Sequence, residues 1–295
     1  RFFEGELELT PDIGAISGEA RALYARISEG LAVWGRRFEM APFRLRVIGT
    51  AGSGKTQLAL GALRDAAAAG RRALYVCFNR PLAEHMAHLA PSAALALTYH
   101  QLCDRVLRGR GETPDFTRGD VFARLEEGFA ACTPGEAWRF DEIVVDEGQD
   151  FEQAWVAPLL RLLAPDGRAW WLEDPMQNLY GRAPVDLPGW ATLRANTNYR
   201  SPQDVTALVN RLSGAAPVTC GSPIATSDWE VLTYGDAAGL LDATKRAVTR
   251  CIGLGFKRSM IAVVTFRGRD GSALLPYDAL GPHAFRRFTG EYDLL

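Results

Sequence analysis

From residue 44 onward, short apolar runs alternate with segments of helical periodicity. Arg44–Ile48, Ala73–Phe78, Ala93–Thr98, Glu142–Val145 and Ala169–Leu172 read as strands. Between them, apolar positions recur at helical spacing near 55–69, 81–89, 99–108, 119–131 and 151–163. Parallel strands need crossover connections, so this alternation predicts an α/β fold: a parallel sheet covered by helices on both faces. Upstream, Ile16, Ala20, Leu23, Ile27 and Leu31 mark an amphipathic helix over about 15–37. Downstream of Asn198 come a helix over Pro202–Leu212 and a stretch rich in Gly, Pro and Ser. A strand over Trp229–Tyr234, a helix over 237–253 and a strand over Met260–Phe266 follow. The pattern predicts an N-terminal helical segment (1–40), an α/β domain (41–197) and part of a second α/β domain (198–295).

Composition narrows the class. The 295 residues are 47% hydrophobic and 23% charged, which excludes a disordered or fibrous chain. No apolar run is long enough for a membrane span. The chain opens with Arg1 rather than Met and has no signal-peptide pattern, so it reads as a piece of something longer. A net charge of −2 excludes a uniformly basic nucleic-acid coat. Charge nevertheless segregates: seven basic residues and no acid lie between Lys245 and Arg269, which suits either a solvated helix face or a phosphate-binding surface. The five cysteines include no C-x-x-C, and the four histidines complete no zinc spacing. They read as reduced, structural cysteines of a cytoplasmic protein.

Of the 33 basic residues only Lys55, Lys245 and Lys257 are lysines. Lys55 closes Gly49-Thr50-Ala51-Gly52-Ser53-Gly54-Lys55-Thr56, a complete G-x-x-x-x-G-K-[ST] between a predicted strand and a predicted helix. Such glycines let successive backbone N–H groups turn onto phosphate oxygens, and the helix N-terminus adds partial positive charge. Gly49, Ala51, Gly52, Ser53, Gly54, Lys55, Thr56 and Gln57 are therefore candidates for binding a nucleotide. Lys55 would reach its β- and γ-phosphates and Thr56 would ligate Mg2+. In this lysine-poor chain a compact ammonium at position 55 stands out, because a planar guanidinium does not replace it there.

Glu142-Ile143-Val144-Val145-Asp146-Glu147-Gly148-Gln149-Asp150 is an apolar strand ending in adjacent carboxylates. Beside a phosphate loop, one acid holds Mg2+ while its neighbour orients the attacking water. Asp146 is assigned to the metal and Glu147 to the water. No Asn-Lys-x-Asp occurs, so nothing supports guanine specificity.

This box and the phosphate loop together resemble the UvrD/Rep-like superfamily 1 DNA helicases. Val76-Cys77-Phe78-Asn79-Arg80 is similar to that family's motif Ia, and Thr98-Tyr99-His100-Gln101-Leu102 to its T-x-H segment. Glu173-Asp174-Pro175-Met176-Gln177-Asn178-Leu179-Tyr180 resembles motif III, and Asn198-Tyr199-Arg200-Ser201 matches motif IV. The resemblance spans roughly 45–202. It implies a RecA-like motor domain that takes ATP and Mg2+, with the start of a second one following. It further implies that Gln177 senses the γ-phosphate, that Tyr199 stacks on adenine and that Arg200 acts as a catalytic finger. Phe78, Asn79, His100 and Tyr180 become candidates for contact with single-stranded DNA, or with RNA. Core packing explains Phe78 equally well, and helix capping or packing is the alternative for His100.

The sequence departs from the family in several places. No glutamine precedes Lys55, so the adenine-reading Q motif is missing, and motifs V and VI do not occur. The expectation is therefore an ATP-dependent helicase or translocase fragment, nucleoid-associated in a bacterium, that binds Mg-ATP but turns it over weakly. A non-catalytic ATP- and DNA-binding module, or the motor part of a helicase–nuclease, are the alternatives.

Overall fold

The computed structural model describes Leu31, residues 35–214, 216–227, 229–265, 271–274 and 276–286. Most of the expected helix over 15–37 lies outside these residues. The described residues up to Ser227 form one compact unit, and those from Trp229 onward form another.

The first unit is built on six parallel strands. These are β1 (Arg44–Gly49), β2 (Ala73–Cys77), β3 (Ala94–Thr98), β4 (Phe140–Val145), β5 (Leu163–Glu173) and β6 (Ala191–Ala195). Their spatial order is β3-β2-β4-β5-β1-β6. β2 is buried at all five positions, as expected of an inner strand covered on both faces. Helices α1 (Lys55–Ala68) and α2 (Arg80–Leu89) pack on one face, against Leu45, Val47, Trp170 and Leu172. Helices α3 (Tyr99–Arg108), α4 (Val121–Ala131) and α5 (Gln153–Leu160) cover the other, against Val76, Ile143, Val145 and Trp171. The five strands expected from the sequence are present, and together with helices on both faces they make this a RecA-like α/β sheet.

Register aligns the carboxyl ends of the strands. Ile48 pairs with Glu173, Val145 with Trp171 and Val76 with Val145. In an open parallel sheet this edge is where loops and helix N-termini gather to form a binding crevice. β5 lies between β1, which leads into the phosphate loop, and β4, which leads into the acidic box. Whatever follows β5 is therefore placed between those two segments.

The chain then forms a small parallel β-α-β unit: β7 (Thr197–Asn198), α6 (Gln203–Leu212) and β8 (Thr219–Cys220). The sequence groups this segment with the residues after it, but it packs with those before it. Thr50 N donates to Ala195 O at 3.0 Å, and Thr219 N donates to Asn196 O at 3.0 Å.

In the second unit α7 (Ala237–Gly253) is capped by Asp236, whose side chain accepts from Gly239 N at 2.7 Å. β9 (Ala279–Leu280) and β10 (His283–Ala284) form a short antiparallel hairpin through Gly281. The expected strands over Trp229–Tyr234 and Met260–Phe266 are not strands in their described residues. Both runs have β-type composition, yet no described neighbour offers them a ladder, and Val231 and Val264 stand exposed. Within the basic stretch, Arg246 pairs with Asp242 and Arg250 with Glu230, so part of its charge is balanced locally.

Among the described residues no helix is long and apolar enough to cross a membrane. All five cysteines are unpaired thiols, and Cys77, Cys103 and Cys132 are buried. Burial pushes the Cys77 and Cys103 thiols well above their ordinary range, so both are packing groups rather than nucleophiles.

Candidate nucleotide site

The phosphate loop follows β1 without a break. Gly52 and Gly54 take left-handed backbone conformations, with φ of 72° and 99°. α1 begins at Lys55 with no side-chain cap and no acid in its first turn. Its N-terminal N–H groups and partial positive charge are left for an external anion. Lys55 is buried, and its ammonium donates to the loop's own carbonyls, Gly49 O at 2.6 Å and Thr50 O at 3.1 Å. Thr56 and Gln57 are exposed on the first turn of α1.

Asp146 ends β4 and is 1% exposed. Its carboxylate accepts from the Tyr75 hydroxyl at 2.9 Å and from Glu147 N at 3.0 Å. Burial, and then the Glu147 charge, raise its pKa to about 6, against the opposing pull of Tyr75 and Lys55. Glu147 adopts φ 53° and ψ 47°, and is the one described non-glycine residue with positive φ. Its carboxylate accepts from Gln149 Nε2 at 2.8 Å. Gly148 follows because a Cβ there would lie 2.2 Å from Trp171 Nε1. Trp171 in turn donates to Glu173 at 3.0 Å, and Arg46 of β1 holds the other Glu173 oxygen at 2.7 Å. The acidic turn thus rests on a chain of contacts leading back to the phosphate-loop strand.

The end of β5 fills the gap between loop and box. Asp174 is 1% exposed. Its N–H donates to Gln149 Oε1 at 2.9 Å. Its Oδ1 accepts from Met176 N at 3.1 Å, and its Oδ2 accepts from Gln177 Nε2 at 2.6 Å. The same Oδ2 lies 3.8 Å from Lys55 Nζ. Gln177 itself is exposed.

Asn198, Tyr199 and Arg200 reach the loop from its other side. Tyr199 N donates to Gly52 O at 3.1 Å. Asn198 Oδ1 accepts from Arg200 N at 2.8 Å and Ser201 N at 2.9 Å, which turns the chain over the loop. A Cβ on Gly52 would stand 2.4 Å from Asn198 Oδ1 and 2.8 Å from Arg200 Cβ. The half-buried Tyr199 ring lies against Gly221, and Arg200 is exposed.

The nucleic-acid candidates gather elsewhere on the same edge. Phe78 meets Tyr180 edge-on at 5.1 Å, His100 at 5.9 Å, and stacks with Trp155 at 6.0 Å. Arg182 lies over Phe78 at 4.6 Å and Trp155 at 4.7 Å, and donates to the Asp150 carbonyl. His100 Nε2 and Trp155 Nε1 both meet the Glu126 carboxylate, at 2.8 and 3.0 Å. Tyr180 is the exposed member, at 56%. Asn79 follows Phe78 in the chain. It caps α2, its side chain accepting from Leu82 N at 3.2 Å.

The residues fit a nucleotide. The Ser53 hydroxyl is buried in the loop without a hydrogen-bond partner, and a Cβ on Gly49 would lie 2.6 Å from it, so the cradle tolerates no side chain. Thr56 and Asp146 offer a hydroxyl and a carboxylate, hard oxygen donors of the kind that hold Mg2+ beside phosphates. No described group of three or more His, Cys, Asp or Glu forms a separate metal cluster. The sequence pattern assigns no site role to Tyr75, Gln149 or Asp174. Tyr75 sits in an apolar run that reads as core, and Asp174 lies unremarked inside the segment carrying Gln177.

A family model described as an AAA domain matches residues 40–183. No curated protein matches the sequence. Among solved structures, one described as the crystal structure of a DNA replication initiation factor aligns at 12% identity with a TM-score of 0.31. The alignment covers 65% of this chain and 50% of that one, so the chain spans half of that protein's length.

Proposed function

Because residues 40–183 form a P-loop NTPase domain of RecA-like fold, we propose that the chain is the ATP-binding motor portion of a UvrD/Rep-like helicase or translocase. It binds Mg-ATP at the phosphate loop and single-stranded DNA on the Phe78–Tyr180 edge. The beginning of its second motor domain then lies after Ser227, because the residues before that point pack with the phosphate-loop unit. The observation that carries this reading is the placement of Gln177. The end of β5 brings it onto Asp174, which also faces Lys55, while Asn198–Arg200 close over the same loop.

Lys55 and the loop N–H groups hold the phosphates, with Thr56 and Asp146 on the magnesium ion. When bound, that ion supplies divalent charge across the phosphoryl oxygens. Glu147 orients water, Gln177 faces the terminal phosphate and Arg200 approaches over Gly52. The left-handed backbone at Glu147 favours hydrolysis over passive binding, since such strain is kept where a site uses it. The test is binding of a fluorescent ATP analogue with Mg2+, with and without oligo-dT. Saturable binding that oligo-dT strengthens supports the motor reading, and nucleotide binding indifferent to oligo-dT would sink its DNA half.

A further inference from the structure

We propose that Asp174 is the positioning residue of this site, holding Lys55 and Gln177 on one carboxylate oxygen so that both read a terminal phosphate as a unit. The inference rests on the reading of Lys55 and Gln177 as phosphate-facing groups and adds a residue to it. Two N–H donors and one cation converge on Asp174. Oδ1 takes the Met176 N–H at 3.1 Å, while Oδ2 takes Gln177 Nε2 at 2.6 Å and stands 3.8 Å from the Lys55 ammonium. The carboxylate is 1% exposed, so water does not substitute for either partner. Its backbone is fixed as well, because Asp174 N donates to Gln149, whose amide holds Glu147.

A carboxylate is needed here for a geometric and an electrostatic reason. Each carboxylate oxygen takes one N–H, and the negative charge faces the Lys55 ammonium, whereas an asparagine offers one acceptor and no charge. Asp174→Asn keeps an oxygen for Met176 N and hence the turn. It also places an amide N–H2 where the Gln177 amide needs an acceptor and the Lys55 ammonium faces a negative charge. The substitution is isosteric, but it releases both phosphate-facing groups from their common anchor. Without that anchor Gln177 is an exposed, freely rotating amide, and the site loses its means of distinguishing a third phosphate from two.

The experiment compares Mg-ADP with a non-hydrolysable Mg-ATP analogue by calorimetry on the full chain. The proteins are wild type, Asp174→Asn, Gln177→Ala and the double variant. Wild type is expected to prefer the triphosphate. Asp174→Asn should lower that preference about five- to tenfold, the scale of one charge-assisted hydrogen bond. Its ADP affinity should fall less than its affinity for the triphosphate analogue, and the double variant should be no worse than Asp174→Asn alone. Melting curves report folding. Should Asp174→Asn unfold, Asp174→Ser, which retains an acceptor for Met176 N, carries the same expectation. A preserved triphosphate preference in Asp174→Asn, or additive losses in the double variant, overturns the positioning role while leaving the nucleotide site intact. A wild-type chain that binds neither nucleotide overturns both that site and this role.

Discussion

The Tyr75 hydroxyl donates to Asp146 at 2.9 Å from within the hydrophobic core, so the candidate metal ligand is anchored by a residue in the middle of β2. Burial still dominates and lifts the Asp146 pKa to about 6. A carboxyl raised in the folded state favours folding when protonated. Its contribution is complete below the unfolded value, roughly pH 4, and is lost as pH rises to about 6. Asp146→Asn should therefore stabilise the nucleotide-free protein at pH 7.5 by about 1–3 kcal/mol and give little gain at pH 4. The same variant should lose the melting shift produced by Mg-ATP. Thermal melts across pH check both, and equal melting of variant and parent at pH 7.5 would count against the burial cost.

The Lys55 ammonium donates to two carbonyls of its own loop. Lys55→Ala should weaken Mg-ATP binding by roughly 10–100-fold, as expected for removing a charged hydrogen-bond donor. Lys55→Arg should not restore it, because the planar guanidinium does not fit where the compact ammonium does. Fluorescent-nucleotide titration decides, and unaltered affinity in Lys55→Ala would remove the phosphate loop from the mechanism.

Two glycines with similar backbone angles separate strain from collision. Gly70 has φ 68° with nothing within 4 Å of its missing Cβ, whereas a Cβ on Gly52, at φ 72°, would strike Asn198 and Arg200. Gly70→Ala should cost about 1 kcal/mol, and Gly52→Ala several times that, because Asn198 and Arg200 must move. Denaturant melts should rank them in that order, and nucleotide binding should fall only in Gly52→Ala.

Tyr180 gives the cleanest test of the nucleic-acid edge because it is exposed, whereas Phe78 also packs against the core. Tyr180→Ala should leave folding nearly unchanged and weaken oligo-dT binding by about 1–3 kcal/mol, the value of one stacked base. Wild-type affinity should fall steeply with salt if phosphates are contacted. A salt-independent affinity would place the DNA elsewhere or nowhere on this chain.

Much of the fold could be read from the residues, and the exceptions have physical causes. The strands β1 to β5 announce themselves because each is an apolar run between helical segments. β6, Ala-Thr-Leu-Arg-Ala, is an edge strand, partly exposed at every position, and carries no such signature. Trp229–Tyr234 and Met260–Phe266 show the converse: the composition is right, but strand formation depends on a neighbour that composition does not reveal. At the site, Lys55 stands out as a candidate by the spacing of the phosphate loop, and Asp146 and Glu147 by ending an apolar strand downstream of it. Asp174 does not, because its approach to Lys55 comes from β5 being inserted between β1 and β4. Tyr75 was hidden by its apolar surroundings, and Asn79, a suggested DNA contact, is occupied as a helix cap.

The order β1-β5-β4 also works as a gauge. Adjacent strands lie about 4.8 Å apart, so one intervening strand sets the loop-bearing and acid-bearing strands roughly 10 Å from each other. A single phosphate is too small to engage both rims, while a polyphosphate chain with its metal extends far enough to do so. For the proposed nucleotide, a lower bound on ligand length is thereby set by the hydrogen-bonded backbone, within which side chains such as Asp174 and Gln177 discriminate. Substitutions around the rim can tune it, but only a change in strand order would reset it.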